Sequence, residues 1–318
     1  MVDLIGKRNW FFGLSIILIV CGIIGYFVHG GFNLDIQFEG GSIVTIYMQD
    51  NKFDTNKIES ELTKEINKKV TAQKSERNDP KTGKTDYMLV LNVASKDQTL
   101  SDDETSNVIK LVSKDYKVVK DSQPEIRNVA PFIGKELRNN ALLAAFFASI
   151  LIILYVWWRF RIMSGLSAGV MGVLALLHDA LIMMSVYTVF NIPLNESFIA
   201  AVLTILGYSM NDTIIIYDRI RENSSQLRRV PIAELVNKSI LQTLNRSINT
   251  VLTVLMSIIT VYAFARYYGI VSVTEFTFPL LVGIASGCYS SIFIASPLWV
   301  MWKEHKAKKL TAGKPAKA

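Results

Sequence analysis

Four ionisable residues lie well inside long apolar runs of this sequence: His178, Asp179, Asp212 and Arg246. A charge at membrane depth costs roughly 3 kcal/mol on insertion scales, so each such residue is a candidate for work that a neutral side chain cannot do. The chemistry open to them is proton exchange. Asp and His change charge with one proton, and a nearby Arg favours the ionised form of a carboxylate. The bland reading is a static ion pair that locks a helix bundle, or a side chain that snorkels to the surface. Asp212 is too short to snorkel, which favours chemistry there, whereas Arg246 is long enough to do so. A lone histidine such as His178 also serves as a hydrogen-bonded packing residue. Asn211, Ser209, Thr213 and Asn249 add polar handles near the level of Asp212, and interhelical hydrogen bonds are their commonest use.

Those residues need elements that hold them at defined depth. A hydrocarbon layer of about 30 Å takes about 20 helical residues. Six segments qualify: Trp10 to Val28, a stretch ending near Trp158, Gly165 to Phe190, Ser197 to Tyr217, Ile240 to Ala265, and Phe276 to Trp302. Lys7 and Arg8 precede the first, Arg159 and Arg161 follow the second, and Arg219, Arg221, Arg228, Arg229 and Lys238 follow the fourth. A Lys-rich tail, KEHKAKKLTAGKPAKA, follows the sixth, and the alternate short loops carry only Arg266. Positive charge marks the cytoplasmic side, so both termini are expected there. At 1.5 Å per residue, Asp212 lies roughly 20–25 Å from the outer end of its span, and Arg246 roughly 10 Å from the cytoplasmic end of the next. Their depths are then similar. His178 and Asp179 should sit nearer the outer side, giving the two levels that a proton path requires.

The first two spans enclose a polar segment with its own pattern. SIVTIYM reads as a strand, and DTNKIESELTKEIN as a helix with Ile58, Leu62 and Ile66 on one face. KKVTAQKS and DYMLVLNV, separated by the turn-like NDPKTGKT, suggest a hairpin. Ser101 followed by Glu104 fits a capping box, and EIRNV a closing strand. The strand-helix-strand-strand-helix-strand order predicts a ferredoxin-like α+β sandwich. The expected divisions are 1–29, a cytoplasmic start and first span; 30–135, the extracytoplasmic domain; 136–302, the remaining spans; and 303–318, the basic tail. The fold class is a polytopic α-helical membrane protein carrying one small extracytoplasmic domain.

Composition narrows the function. Half of the 318 residues are hydrophobic, and the net charge of +7 is concentrated in short loops and the tail. Such a tail beside a span points to anionic lipid at the cytoplasmic face rather than to nucleic acid. Cys21 and Cys288 lie in apolar runs and support neither a disulfide nor a metal site. The first span is long for a signal peptide and lacks an A-x-A site. An intramembrane aspartyl protease built on Asp179 and Asp212 is disfavoured: there is no GxGD run, and the two carboxylates are expected at different depths. Gly165 with Gly169, and Gly283 with Gly287, read as close-packing pairs, and Tyr267 and Tyr268 as interface anchors.

Several stretches together resemble the SecF family. FEGG, from Phe38 through Gly40 and Gly41, is similar to its F-x-G-G signature. VAPFIGKEL, LLHD, GYSMNDTIIIYDRIREN and LNRSINT resemble further family stretches in the expected order, with Ala130 where Gly is usual. The resemblance implies the smaller half of the SecD–SecF accessory complex, a member of the RND superfamily whose proton flow promotes late-stage export of preproteins emerging from the SecYEG channel. It implies no enzyme and no cofactor, with protons as the coupling ion, and assigns Asp212 and Arg246 to the proton path. Six spans with one outer domain amount to half of a twelve-span unit, and a half unit needs a partner, SecD, to bury its polar face. The start Met and the basic tail suggest a chain separate from SecD. A membrane scaffold, or a stand-alone RND-type transporter half without proton-driven preprotein export, stays open as the alternative.

Overall fold

The computed structural model describes residues 3–78, 85–94, 100–119, 122–129, 131–161, 164–226, 230–268 and 270–312. Most of the NDPKTGKT turn, Ala130, Arg228, Arg229 and the end of the tail lie outside the described residues. In chain order the elements are α1 (Arg8–Val28), α2 (Ile36–Glu39), β1 (Gly41–Met48), α3 (Thr55–Ile66), β2 (Val70–Asn78), β3 (Thr85–Ala94), α4 (Asp102–Asp115) and β4 (Glu125–Val129). There follow α5 (Pro131–Arg159), α6 (Gly165–Val189), α7 (Glu196–Gln226), α8 (Ile232–Tyr267), α9 (Val271–Ser290), a π-helical turn (Ser291–Ala295) and α10 (Ser296–Ala312).

Six helical stretches among the described residues are long and apolar enough to cross a membrane, the last running from Val271 to Lys309 through α9, the π turn and α10. The chain is a multi-pass membrane protein. The helices outrun the apolar segments expected from sequence: α7 continues past Tyr217 to Gln226, and α8 begins at Ile232 rather than Ile240. Hydropathy marks only the part of a helix that must avoid water, and its solvated turns remain helical beyond that. Burial within the chain is uneven. The apolar window of the last span is 61% buried, whereas those of α5 and α8 are 6% and 11% buried.

The segment between α1 and α5 builds its own core. The strand order in its sheet is β2-β3-β1-β4, with every adjacent pair antiparallel. Val44 faces Leu91 and Ile46 faces Leu89 across the β1–β3 ladder. This period-2 face meets Ile58 and Leu62 of α3 and Val108 and Val112 of α4 in one apolar cluster. Both helices start on side-chain caps. Asp54 accepts from the Asn56 N–H at 3.0 Å, and Ser101 and Glu104 form the reciprocal capping box. Glu104 also receives the Lys68 ammonium at 2.7 Å.

FEGG forms the joint into this domain. Phe38 and Glu39 end α2, and Gly40 and Gly41 adopt φ of +78° and +138°, which carry the chain into β1. Side chains rarely accept those angles, so the glycines are there for the bend. Just before them, Leu194 N–H donates to the Asn33 carbonyl at 2.8 Å, and Asp35 N–H to the Leu194 carbonyl at 2.9 Å. This short parallel bridge ties the root of the α+β domain to the α6–α7 turn.

Candidate functional site

The polar centre of the bundle lies where α6, α7 and α9 meet. Asp179 of α6 is 0% exposed. Its carboxylate accepts from Ser209 Oγ of α7 at 2.7 Å, and from Ser286 and Ser290 Oγ of α9 at 2.7 and 2.8 Å. His178 Nδ1 lies 3.3 Å from the same carboxylate, and its Nε2 lies 3.0 Å from Ser15 Oγ of α1. Ser15 in turn sits 3.2 Å from the Tyr289 hydroxyl, which donates to the Phe11 carbonyl at 2.7 Å. Four helices are thus joined through two adjacent side chains, His178 and Asp179.

The helices reach this contact because α9 presents small residues to α7. A Cβ at Gly287 would stand 2.8 Å from Ser209 Cβ, and one at Gly283 would stand 2.5 Å from Ile205 Cγ1. The π turn then advances the register, so that consecutive Ser290 and Ser291 serve different partners. Ser290 bonds Asp179, while Ser291 Oγ pairs with Thr213 Oγ1 at 2.8 Å. Pro297 follows two residues after the π turn. It cannot donate an i−4 bond, and a widened turn accommodates its ring.

Asp212 lies on α7, one turn beyond Ser209. It is 1% exposed, and neither carboxylate oxygen has a hydrogen-bond partner among the described residues. Tyr208, one turn back on α7, and Ser247 of the adjoining α8 also have buried hydroxyls without a partner there. Tyr208 and Cys288 lie within electrostatic reach of Asp212.

Several expectations change at this point. Arg246 is exposed on α8 and forms no ion pair with Asp212 among the described residues, so the two do not lock together within this chain. Asn211 and Asn249 are likewise exposed, and of the supporting set Ser209 and Thr213 reach inward. The spacing of 3.6 residues per turn is the reason: Asn211 precedes Asp212 by about 100° and points out of the bundle. The two expected levels come within one turn, about 4.5 Å, because Asp179 bonds Ser209, three residues before Asp212. Different depth is therefore no ground against an aspartyl dyad. The ground is that donors fill the Asp179 carboxylate, whereas dyad carboxylates share a proton with each other.

Sequence reasoning passed over the serines of α9, although Ser286 and Ser290 stand at i, i+4 beside Gly283 and Gly287 at the same spacing. It also placed Glu275 in a loop. Glu275 belongs to α9 and accepts from Asn195 Nδ2 at 2.7 Å, while Asn195 Oδ1 caps α7 through the Phe198 N–H.

One exposed face remains unexplained by packing within the chain. On α7 it comprises Thr204, Gly207 and Asn211, and on α8 Asn245, Arg246, Asn249 and Thr253. Each set repeats at three to four residues, so each makes a stripe. Such stripes are too polar to face lipid.

Residues 108–305 match the family described as protein export membrane protein SecD/SecF, C-terminal. The chain is 35% identical to protein translocase subunit SecF of Alicyclobacillus acidocaldarius, over 99% of this chain and 97% of that one. The chain belongs to the SecF family. Protein translocase subunit SecDF of Bacillus subtilis is 36% identical over 98% of this chain, which covers 39% of that longer protein. A crystal structure of SecDF, a translocon-associated membrane protein from Thermus thermophilus, superposes with a TM-score of 0.74 at 31% identity. That match covers 95% of this chain and 39% of the SecDF chain. This SecF-family chain thus spans about two fifths of the SecDF relatives and nearly all of the SecF one.

Proposed function

We propose that this chain is one half of a protein-translocation unit, pairs with a SecD-type half, and uses proton movement through Asp212 to promote late-stage export of preproteins leaving the SecYEG channel. The observation that carries the proton role is the buried Asp212 carboxyl with no hydrogen-bond partner among the described residues, beside the exposed polar face that holds Asn211, Arg246 and Asn249. A partner packed on that face brings polar groups toward Asp212 and hides both stripes from lipid. The SecDF relatives, in which a matching segment is joined to a longer chain, support SecD as that partner. The stretch 30–135 reads as a ferredoxin-like extracytoplasmic domain, supported by the β-α-β-β-α-β order and the β2-β3-β1-β4 sheet. Both termini then face the cytoplasm, and the basic tail meets anionic lipid there. One proton crossing 100 mV releases about 2.3 kcal/mol, so a few protons suffice to move a docked domain.

The test is secretion from membrane vesicles with and without a proton gradient. Asp212→Asn keeps the shape and removes the titratable charge. It should leave insertion and co-purification with SecD unchanged and abolish the gradient-dependent part of secretion, while Asp212→Glu retains some of it. Arg246→Met should weaken coupling more than Arg246→Lys, since only Lys keeps a charge to act on a carboxylate across the interface. Full gradient-dependent secretion by Asp212→Asn would remove the proton role.

A further inference from the structure

At the basic end of the bundle, α5, α6 and α10 leave an open groove of about 380 Å³ between them. Its wall is apolar, formed by Trp157, Leu166, Val170, Met171 and Trp302, and its rim carries Arg161 and Lys306. The volume is that of a pocket for a small organic ligand rather than a packing defect. We propose that this groove is a specific site for an anionic phospholipid, with the phosphate held between Arg161 and Lys306 and an acyl chain laid along Leu166, Val170 and Met171.

Charge balance is the main argument. Of the neighbouring cations, Arg159 and Arg221 pair with Asp218 at 3.1 and 2.7 Å, Arg219 with Glu222 at 2.6 Å, and Arg8 with Glu304 at 3.9 Å, while Lys7, Lys238 and Lys309 form no ion pair among the described residues but lie outside the groove. Lys303 is drawn to Ser164 Oγ at 2.7 Å. Arg161 and Lys306 have no acidic partner among the described residues, and both line the groove. Lys306 lies over the Trp302 ring at 5.2 Å, which steadies the ammonium without neutralising it. Two unneutralised cations above an apolar channel at the bilayer surface complement a lipid that carries a phosphate charge on hydrocarbon chains. Tryptophan at both walls suits the headgroup level, where one side of a site is wet and the other apolar. This face is distinct from the polar stripes of α7 and α8, so a lipid here does not compete with the partner half.

The site deepens the lipid part of the proposed function and rests on it. The test measures lipid retention by the full chain in native mass spectrometry, after purification from nanodiscs of phosphatidylglycerol and phosphatidylcholine. Retained phosphatidylglycerol should exceed phosphatidylcholine. Each groove cation removed should weaken retention about five-fold, so Arg161→Gln with Lys306→Gln gives about a 25-fold loss. Lys238→Gln with Lys309→Gln, the same charge change outside the groove, should have little effect. Leu166→Trp fills the channel at constant charge and should also release the lipid, and a photo-crosslinker at Val170 should label lipid. Excess inorganic phosphate should not compete, because it lacks the chains. Equal losses from both cation pairs would overturn the site and leave diffuse attraction of anionic lipid standing. No preference for phosphatidylglycerol would overturn both. Crosslinking of Val170 to protein would assign the groove to a polypeptide partner and overturn the lipid site.

Discussion

Asp179 and Asp212 sit on adjacent helices, about one turn apart in depth, and both are closed off from solvent. They differ in what surrounds them. Asp179 accepts three serine hydroxyls and contacts an imidazole, so the cost of burying it is offset by dipoles from two other helices and from the adjacent His178. Asp212 accepts nothing among the described residues. A saturated carboxylate holds its neighbours in place and has little freedom to change. An unpartnered one is costly to keep, and that cost is understandable where the group must respond to an incoming proton or to an approaching surface. Asp179 is a saturated joint of the bundle and Asp212 has the freedom that the proposed proton role calls for, although sequence alone makes both of them buried acids.

The largest expected effect separates the two by stability. Asp179→Leu strands three hydroxyls and should lower the unfolding free energy of the detergent-solubilised protein by about 3–5 kcal/mol. Asp212→Leu removes a group without partners and should stay within about 1 kcal/mol of the parent. Thermal unfolding of both variants side by side decides it, and equal losses would break the distinction.

A smaller effect tests the contact that lets the serines reach Asp179. Gly287→Ala puts a methyl against Ser209 and forces α9 away from α7. Overpacking of this kind costs about 1–3 kcal/mol. The loss should shrink when combined with Asp179→Leu, because the second change has already released the hub. Strictly additive losses in the double variant would show that Gly287 acts elsewhere.

The smallest effect calibrates the comparison with a carboxylate outside the membrane. Hydrogen bonding to the Lys68 ammonium, then to the Ser101 backbone N–H, holds the Glu104 carboxyl below its ordinary range. A depressed folded value contributes stability that is fully present above the ordinary value of 4.5 and fades as pH falls through the folded one. The group is about one third exposed, so solvent screening keeps the contribution below about 1 kcal/mol. Lys68→Met should flatten the acid side of the α+β domain's stability profile, followed by hydrogen exchange at α4. An unchanged profile would show that this carboxylate, although partnered, does not anchor its domain.

Much of the molecule follows from local rules. Six apolar runs must become helices, because a backbone in hydrocarbon has to satisfy its own hydrogen bonds. Ser101 with Glu104 fixes the start of α4, and the alternation of Val44, Ile46 and Met48 fixes which face of β1 is buried. The family stretches from FEGG to LNRSINT name the family before any coordinate is known. The sequence also singles out Asp212, since an acid too short to reach water has to be accounted for inside the bundle. What it leaves open is the company each residue keeps. Which serine faces Asp179 depends on the rotation of α9, and that rotation depends on Gly287 and on a π turn that shifts register after Ser290. Whether Arg246 turns toward Asp212 or away depends on how α8 packs, and hydropathy carries no information about rotation around a helix axis. Depth is a one-dimensional property that residue counting can estimate. Contact between helices is three-dimensional, and only the tertiary structure decided it.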